Sequence, residues 1–434
     1  MTANTPRPAL QRELGRWDLT AIGVNQVIGG AVFALPAALF ATAGAWSPWM
    51  VAAVGVASMF IALSFAEAAS RFDGTGGPYL YTRAAFGRFA AFEVGWMMWF
   101  TRAASWASVI NVLVSSLGFY WPAITAGPTR TVFLSAIIIA IAAINIRGIR
   151  QSSFVVNLLT VAKILPLVVF VLAGLFFVDW SRLGGAAPVS GLSSSALLLI
   201  FAFGGYEVIP VPAGEAKDPR KAVPFALIMT IAGVTILLIL AQVVTIGTLP
   251  SLATSKTPLA DSAALFLGAA GAAMITLGAV FSTSGNNVGQ ALSGSRNLYA
   301  LAEQGDLPPF FGRVHPRFHT PANAIIVTSV VSLLLAVSGT FQTMAAASAI
   351  SRLVVYVATC ASVLQLRKAR FDGVVRPAGF IVPGGPVIPL VAIVIALGIL
   401  AGATRVQLIA GAATIAAGAV LFAIATAGAR RRRD

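Results

Sequence analysis

Apolar residues fall along this chain in twelve runs, separated by short stretches rich in glycine, proline or arginine. The runs lie near 19–42, 45–66, 89–119, 131–147, 153–177, 193–212, 224–247, 262–300, 322–338, 343–366, 386–402 and 406–428. Runs of about 20 apolar residues predict transmembrane helices, the element that satisfies its own backbone in lipid. Two of them are interrupted in matching places. Gly29 and Gly30 break the first, with Pro36 further on; Gly204 and Gly205 break the sixth, with Pro210 further on. A second anomaly has the same spacing: 89–119 and 262–300 are too long to cross a bilayer without strong tilt. Features repeated five runs apart divide the chain into repeats at 19–178 and 193–366, followed by two peripheral helices at 386–428. An odd number of crossings per repeat inverts the second one. The predicted fold is all-α and integral to the membrane. It has twelve transmembrane helices in a five-plus-five inverted repeat, with helices 1 and 6 broken, between an N-terminal tail at 1–18 and a basic tail at 429–434.

Composition leaves little room for another class. Of 434 residues, 58% are hydrophobic and 10% charged, against about 25% charged in soluble domains. A net charge of +15 raises the question of nucleic acid, but its distribution answers it. With a cytoplasmic N-terminus and twelve spans, 22 of the 29 basic residues face the cytoplasm. Four (Arg130, Arg182, Lys256, Arg405) face the other side, and three (Arg102, Lys163, Arg352) lie within spans. This bias follows the positive-inside rule and predicts a multi-pass protein of the inner (plasma) membrane with both termini cytoplasmic. The arginine run at 430–433 then reads as a topology anchor or a contact with anionic headgroups, not as a nucleic-acid site. Residues 1–16 lack the apolar core and cleavage site of a removable signal. Cys360 is the single cysteine, so no disulfide framework or cysteine metal site is expected.

Catalytic, nucleotide-binding and channel-filter patterns are not recognisable. His315 and His319 share a loop without metal-ligand neighbours, and no Ser/His/Asp set converges. The expectation is therefore no enzyme, no cofactor and no metal, but a transporter driven by gradients, acting as a monomer or homodimer. Paired helix interruptions are the sequence pointer to such a protein's binding site. The plain alternative, that the glycines only let helices pack closely, is weakened by their matched positions.

Several segments resemble the amino acid–polyamine–organocation transporter superfamily, in order, from about Trp17 to Arg370. Ile22, Gly23, then Ile28, Gly29, Gly30, Ala31, Val32, Phe33 and Pro36 carry the likeness in the first run. Phe65, Ala66, Glu67 and Gly76, Gly77, Pro78, Tyr79, Tyr81 carry it around the second, and Lys163 in the fifth. Phe201 to Glu207, Glu215 to Arg220, Ser295 to Ala300 and Val314 to Pro321 complete the set. The resemblance implies transport of amino acids or related amines by a twelve-helix inverted repeat. It departs at the first break, where Gly-Ser-Gly is usual and Gly29, Gly30 and Ala31 stand here, leaving backbone groups alone.

The breaks suit the two ends of an α-amino acid. Unwinding at Ile28, Gly29, Gly30 and Ala31 exposes amides and the positive end of a helix dipole to a carboxylate. Unwinding at Phe201, Ala202, Phe203 and Gly204 exposes carbonyls to an ammonium group. By resemblance, Phe201 covers the substrate as a gate; otherwise it is a lipid-facing ring.

Charges inside the spans are the remaining candidates. Lys163 lies ten residues into its run, where a charged lysine costs about 3 kcal/mol. Similar proteins with a lysine here use it in place of sodium, against the first break, which implies proton coupling; the alternative is a permanent pair with a buried carboxylate. Glu207 takes a gating or proton-linked role by resemblance, or else a helix-stabilising hydrogen bond. Arg102, Trp106 and Val109 share one helical face, so Arg102 is open to a substrate carboxylate, to Glu207 or to a structural ion pair. Glu93 and Arg352 also need partners. Gln290 aligns with a pocket position, with Asn286 and Asn287 one turn earlier. Proton symport of amino acids is expected, with amino acid or polyamine exchange as the alternative.

Overall fold

The computed structural model describes residues 10–118, 121–185, 192–338 and 341–430. Residues 1–9 of the expected N-terminal tail and 431–434 of the basic tail lie outside the described residues. Among those described, the fold is helical, with extended pairing confined to two isolated bridges. The first apolar run forms α1 (Arg16–Val27) and α2 (Leu35–Ala43), joined through a 3-10 turn at Gly30–Phe33. Next come α3 (Ser47–Ala69), α4 (Pro78–Phe86), α5 (Arg88–Leu117), α6 (Gly127–Ile146) and α7 (Ile149–Gly174). The sixth run begins as α8 (Leu192–Phe203), followed by α9 (Pro219–Thr248), α10 (Pro258–Glu303) and α11 (Ala322–Ser338). The chain closes with α12 (Phe341–Leu366), α13 (Val387–Ala401) and α14 (Arg405–Arg430).

Each apolar run contains helix, and the punctuation explains where helices start. Pro36, Pro48, Pro78, Pro219 and Pro258 each stand in the first two positions of theirs, where a missing N–H costs nothing. Among the described residues, seven helical stretches are long and apolar enough to cross a membrane, including Gly127–Ile146, Ile149–Phe177 and Pro219–Thr248. Ala322–Ser338 and Val387–Ala401 are apolar but shorter. Helix α4 is an addition: its amphipathic nine residues followed a glycine-rich turn and carried no apolar run.

One long run and one break differ in detail from their reading. α10 turns sharply at Gly268 (φ 65°, ψ −161°), so its 46 residues form two helical segments. The sixth run does not resume as α-helix after Gly205. It continues as 3-10 turns at Tyr206–Val208 and Val211–Glu215, because Pro210 and Pro212 withhold the amides an α-helix would need there.

One end of the bundle is tied together by charged groups. Arg296 Nε and Nη2 grip the Glu215 carboxylate at 2.9 and 3.0 Å, both side chains fully buried. Arg367 holds Glu67, Arg83 and Arg88 hold Asp306, and Arg376 holds Asp73. The backbone joins in: the Glu13 and Leu14 amides donate to Glu215 O, and Lys217 N–H donates to Leu14 O, each at 2.9 Å. The starts of α5 and α9 and the ends of α3, α10 and α12 therefore meet at this end. A large apolar cluster packs the bundle beyond it.

Candidate functional site

The two breaks touch. Gly205 has φ 132°, a left-handed conformation that favours glycine, and a Cβ there would stand 2.6 Å from the Gln26 carbonyl oxygen. Unwinding α1 after Val27 leaves the carbonyls of Asn25, Gln26 and Ile28 without helical partners, a costly condition in an apolar bundle. Side chains from α7 and α10 meet that need. Lys163 Nζ, fully buried, donates to Asn25 O (2.8 Å), Asn25 Oδ1 (2.7 Å) and Ile28 O (2.5 Å). Ser282 Oγ donates to Ile28 O (2.8 Å), and Asn286 Nδ2 to Gln26 O (3.2 Å). Asn25 Nδ2 in turn donates to Gly285 O (2.7 Å). The C-terminal end of a helix carries partial negative charge, which suits the ammonium lodged there. No ion pair to Lys163 is formed among the described residues, so its partners are neutral oxygens, not the carboxylate of the alternative reading.

A cavity of about 410 Å³ adjoins the first break. Of the expected residues, Gly29, Gly30, Ala202, Gly204 and Gln290 line it. Gln26, Ser105, Ser108, Thr283, Asn286, Ser348 and Arg352 add a polar lining that the chain alone did not single out as a site, apart from the buried charge of Arg352 and the neighbour Asn286. Two acceptors there lack a hydrogen-bond partner among the described residues, Gln26 Oε1 and Gln290 Oε1. Their amide nitrogens are committed, Gln26 Nε2 to Asn286 O and Gln290 Nε2 to Asn286 Oδ1, each at 3.2 Å. Buried acceptors left open in this way suit an ammonium donor. On the donor side, the Gly29 amide is committed to Val27 O at 2.9 Å, so less of the break faces a carboxylate than the unwinding alone suggested.

Other expected residues stand elsewhere. Ile28, Phe203, Arg102 and Trp106 do not line the cavity; Ile28 serves Lys163 through its carbonyl, while Phe203 and Trp106 are fully buried. The side chains of Ala31 and Phe201 lie outside the described residues. Glu207 sits at the base of the second break. Its Oε1 accepts from Arg102 Nη2 at 2.7 Å and pairs with Arg352 Nε at 3.0 Å. Its Oε2 accepts from the Gly205 amide (2.8 Å) and the Tyr356 hydroxyl (2.9 Å). Arg102, with three partners open to it in the sequence, thus meets Glu207. Glu93 finds no hydrogen bond among the described residues and lies against Gly418 of α14.

A family model described as amino acid permease matches residues 14–427. The chain belongs to the amino acid permease family. The permease is 30% identical over 419 residues to the branched-chain amino acid permease BcaP of Bacillus subtilis (strain 168), covering 92% of this chain and 89% of that protein. A methylthioribose transporter of the same organism is 27% identical over 410 residues, covering 90% and 88%. A putative arginine/ornithine antiporter, also from B. subtilis, is 30% identical over 368 residues, covering 74% and 76%. Family and apolar helices together make the permease a multi-pass membrane protein of amino acid transport.

Proposed function

We propose that the permease is a secondary transporter that carries an amino acid together with a proton across the cytoplasmic membrane by alternating access. Its twelve crossings would form two inverted repeats, 19–178 and 193–366, with 386–428 peripheral and both termini cytoplasmic. The matched breaks and the matched excess length of the third and eighth apolar runs support that division. One observation carries the coupling: the Lys163 ammonium bridges the unwound carbonyls of Asn25 and Ile28, with no ion-pair partner among the described residues. Loss of its proton would remove a donor from the break, and the break borders the cavity. Proton occupancy and the shape of the site are thereby linked, which is what symport requires.

In this reading the substrate amine meets Gln26 Oε1, Gln290 Oε1 and the carbonyls near Gly204, and its carboxylate meets the backbone at Gly30 and Ala31. Phe201 is the lid, and Glu207 holds the second break to α5 and α12 as a gate. Lys163→Ala should abolish the response of uptake to an imposed pH gradient in proteoliposomes while leaving binding of the amino acid measurable. Uptake by that variant that still follows the gradient as wild type does would sink the coupling. Exchange is the second reading, favoured by the relative named as a putative arginine/ornithine antiporter. Under exchange, efflux of loaded amino acid would require external substrate; under symport it would not.

A further inference from the structure

α10 lays Ser282, Thr283, Asn286 and Gln290 along the first break on one helical face, and three of these have donors committed to other residues. Ser282 Oγ donates to Ile28 O (2.8 Å), Asn286 Nδ2 to the carbonyls of Asn25 (3.3 Å) and Gln26 (3.2 Å), and Gln290 Nε2 to Asn286 Oδ1 (3.2 Å). Thr283 differs. Its hydroxyl donates back along its own helix, to Ala279 O at 2.9 Å, a mid-helix carbonyl that the α10 ladder also serves. The hydroxyl can therefore turn away without stranding an acceptor. Thr283 lines the cavity and is 5% exposed. A Cβ on Gly30 would lie 2.7 Å from its Oγ1, too close for carbon and oxygen, so this hydroxyl fills the space a side chain at Gly30 would need. Backbone donors are scarce there, since the neighbouring Gly29 amide is turned to Val27 O.

We infer that Thr283 binds the α-carboxylate of the substrate, its hydroxyl proton swinging from Ala279 O to the bound anion beside the Gly30 backbone. The inference rests on the amino acid transport reading above and adds a binding residue to it, presented by α10 and not by the break. A threonine hydroxyl rotates to suit its partner. A hydrogen bond to a carboxylate is roughly twice as strong as one between neutral groups, so the anion draws the proton away from Ala279 O. Gly30 is the complement of Thr283: its missing Cβ leaves room for the hydroxyl to stand against the break. Specificity follows from the same contact. An amino acid amide or a polyamine carries the amine but presents a weaker acceptor, or none, where the carboxylate would lie, and the donors gathered there are left poorly paired.

The test uses purified permease in proteoliposomes with labelled alanine, leucine, serine, glutamate and arginine and, for each one taken up, its amide as competitor. The amide should inhibit wild type at least about tenfold more weakly than the unlabelled amino acid does. Thr283→Val keeps the shape and removes the hydroxyl. It should raise KM about tenfold with kcat within about threefold of wild type, and should narrow the gap between acid and amide. Thr283→Ser should recover most of the affinity. Gly30→Ser should impair uptake where Thr283 is present, yet restore it in Thr283→Ala, because the hydroxyl then enters the same space from the other helix. Thermal melting identifies variants that fail to fold, and the Thr283→Ala and Gly30→Ser pair carries the test if Thr283→Val is one of them. An amide that competes with wild-type uptake as well as the acid overturns the inference, and so does an unchanged KM in Thr283→Val. Thr283→Ser as impaired as Thr283→Val, or equal losses of acid and amide in Thr283→Val, would assign the residue to packing and also overturn it. Those outcomes leave the transport reading intact. No uptake of any labelled amino acid by wild type overturns both.

Discussion

The glycines at the two breaks differ in what they do. A Cβ on Gly205 would meet the Gln26 carbonyl oxygen at 2.6 Å and its carbon at 2.7 Å, backbone atoms that cannot step aside, and φ is 132°. A Cβ on Gly29 would meet Asn286 Nδ2 at 3.6 Å, an ordinary contact. Close packing thus explains Gly205 but not Gly29, which faces the cavity. Gly205→Ala should destabilise the protein by about 1–3 kcal/mol from backbone strain alone, read as a lower melting temperature in detergent. An unchanged melting temperature would mean that the two breaks do not rest on one another. Lys163, Glu207 and Arg102 were legible in the sequence because a charge inside an apolar run is expensive and conspicuous. Asn25, Gln26 and Ser282 were not, since small polar residues are ordinary in membrane helices. Their importance depends on which carbonyls unwind beside them.

At the scale of elements, α10 is the platform against which the first break is built. Gly285 and Gly289 sit one turn apart on it, and a Cβ at either would strike Asn25 Oδ1 (2.6 Å) or Gln26 Nε2 (2.1 Å). Gly289→Ala should displace the Gln26 amide, a flexible group, and so raise the KM for the amino acid several-fold with little change in melting temperature. A large drop in melting temperature with unchanged KM would assign Gly289 to packing instead. The length of the apolar run marked α10 as anomalous, but its turn at Gly268 carries no hydropathy signal. The end of the sixth run misled in the opposite sense: its hydropathy continues to Pro212 while its prolines deny it an α-helix.

At the scale of the whole molecule, buried ion pairs fasten one end of the bundle. Glu215 and Arg296 are both fully buried and joined by two hydrogen bonds. Arg296→Ala strands the Glu215 charge and should cost about 3–5 kcal/mol, seen as a melting shift; replacing both residues with apolar ones of similar volume should cost less. If both variants melt alike, the pair contributes no more than its packing.

The sequence by itself determined the membrane class, the order of the apolar segments, the location of the two breaks and the residues whose buried charge demanded a partner. Hydropathy and punctuation are local properties, readable one segment at a time. Only the tertiary structure decided the partners. It brought Lys163 to neutral carbonyls and not to a carboxylate, and gathered Arg102 and Arg352 on Glu207. It also turned Gln26 and Gln290 toward the cavity while burying Trp106 away from it. Those outcomes depend on how α1, α5, α7, α10 and α12 rotate and tilt against one another. Helix rotation is set by the packing of all neighbours at once, so it leaves no signal in any single stretch of chain.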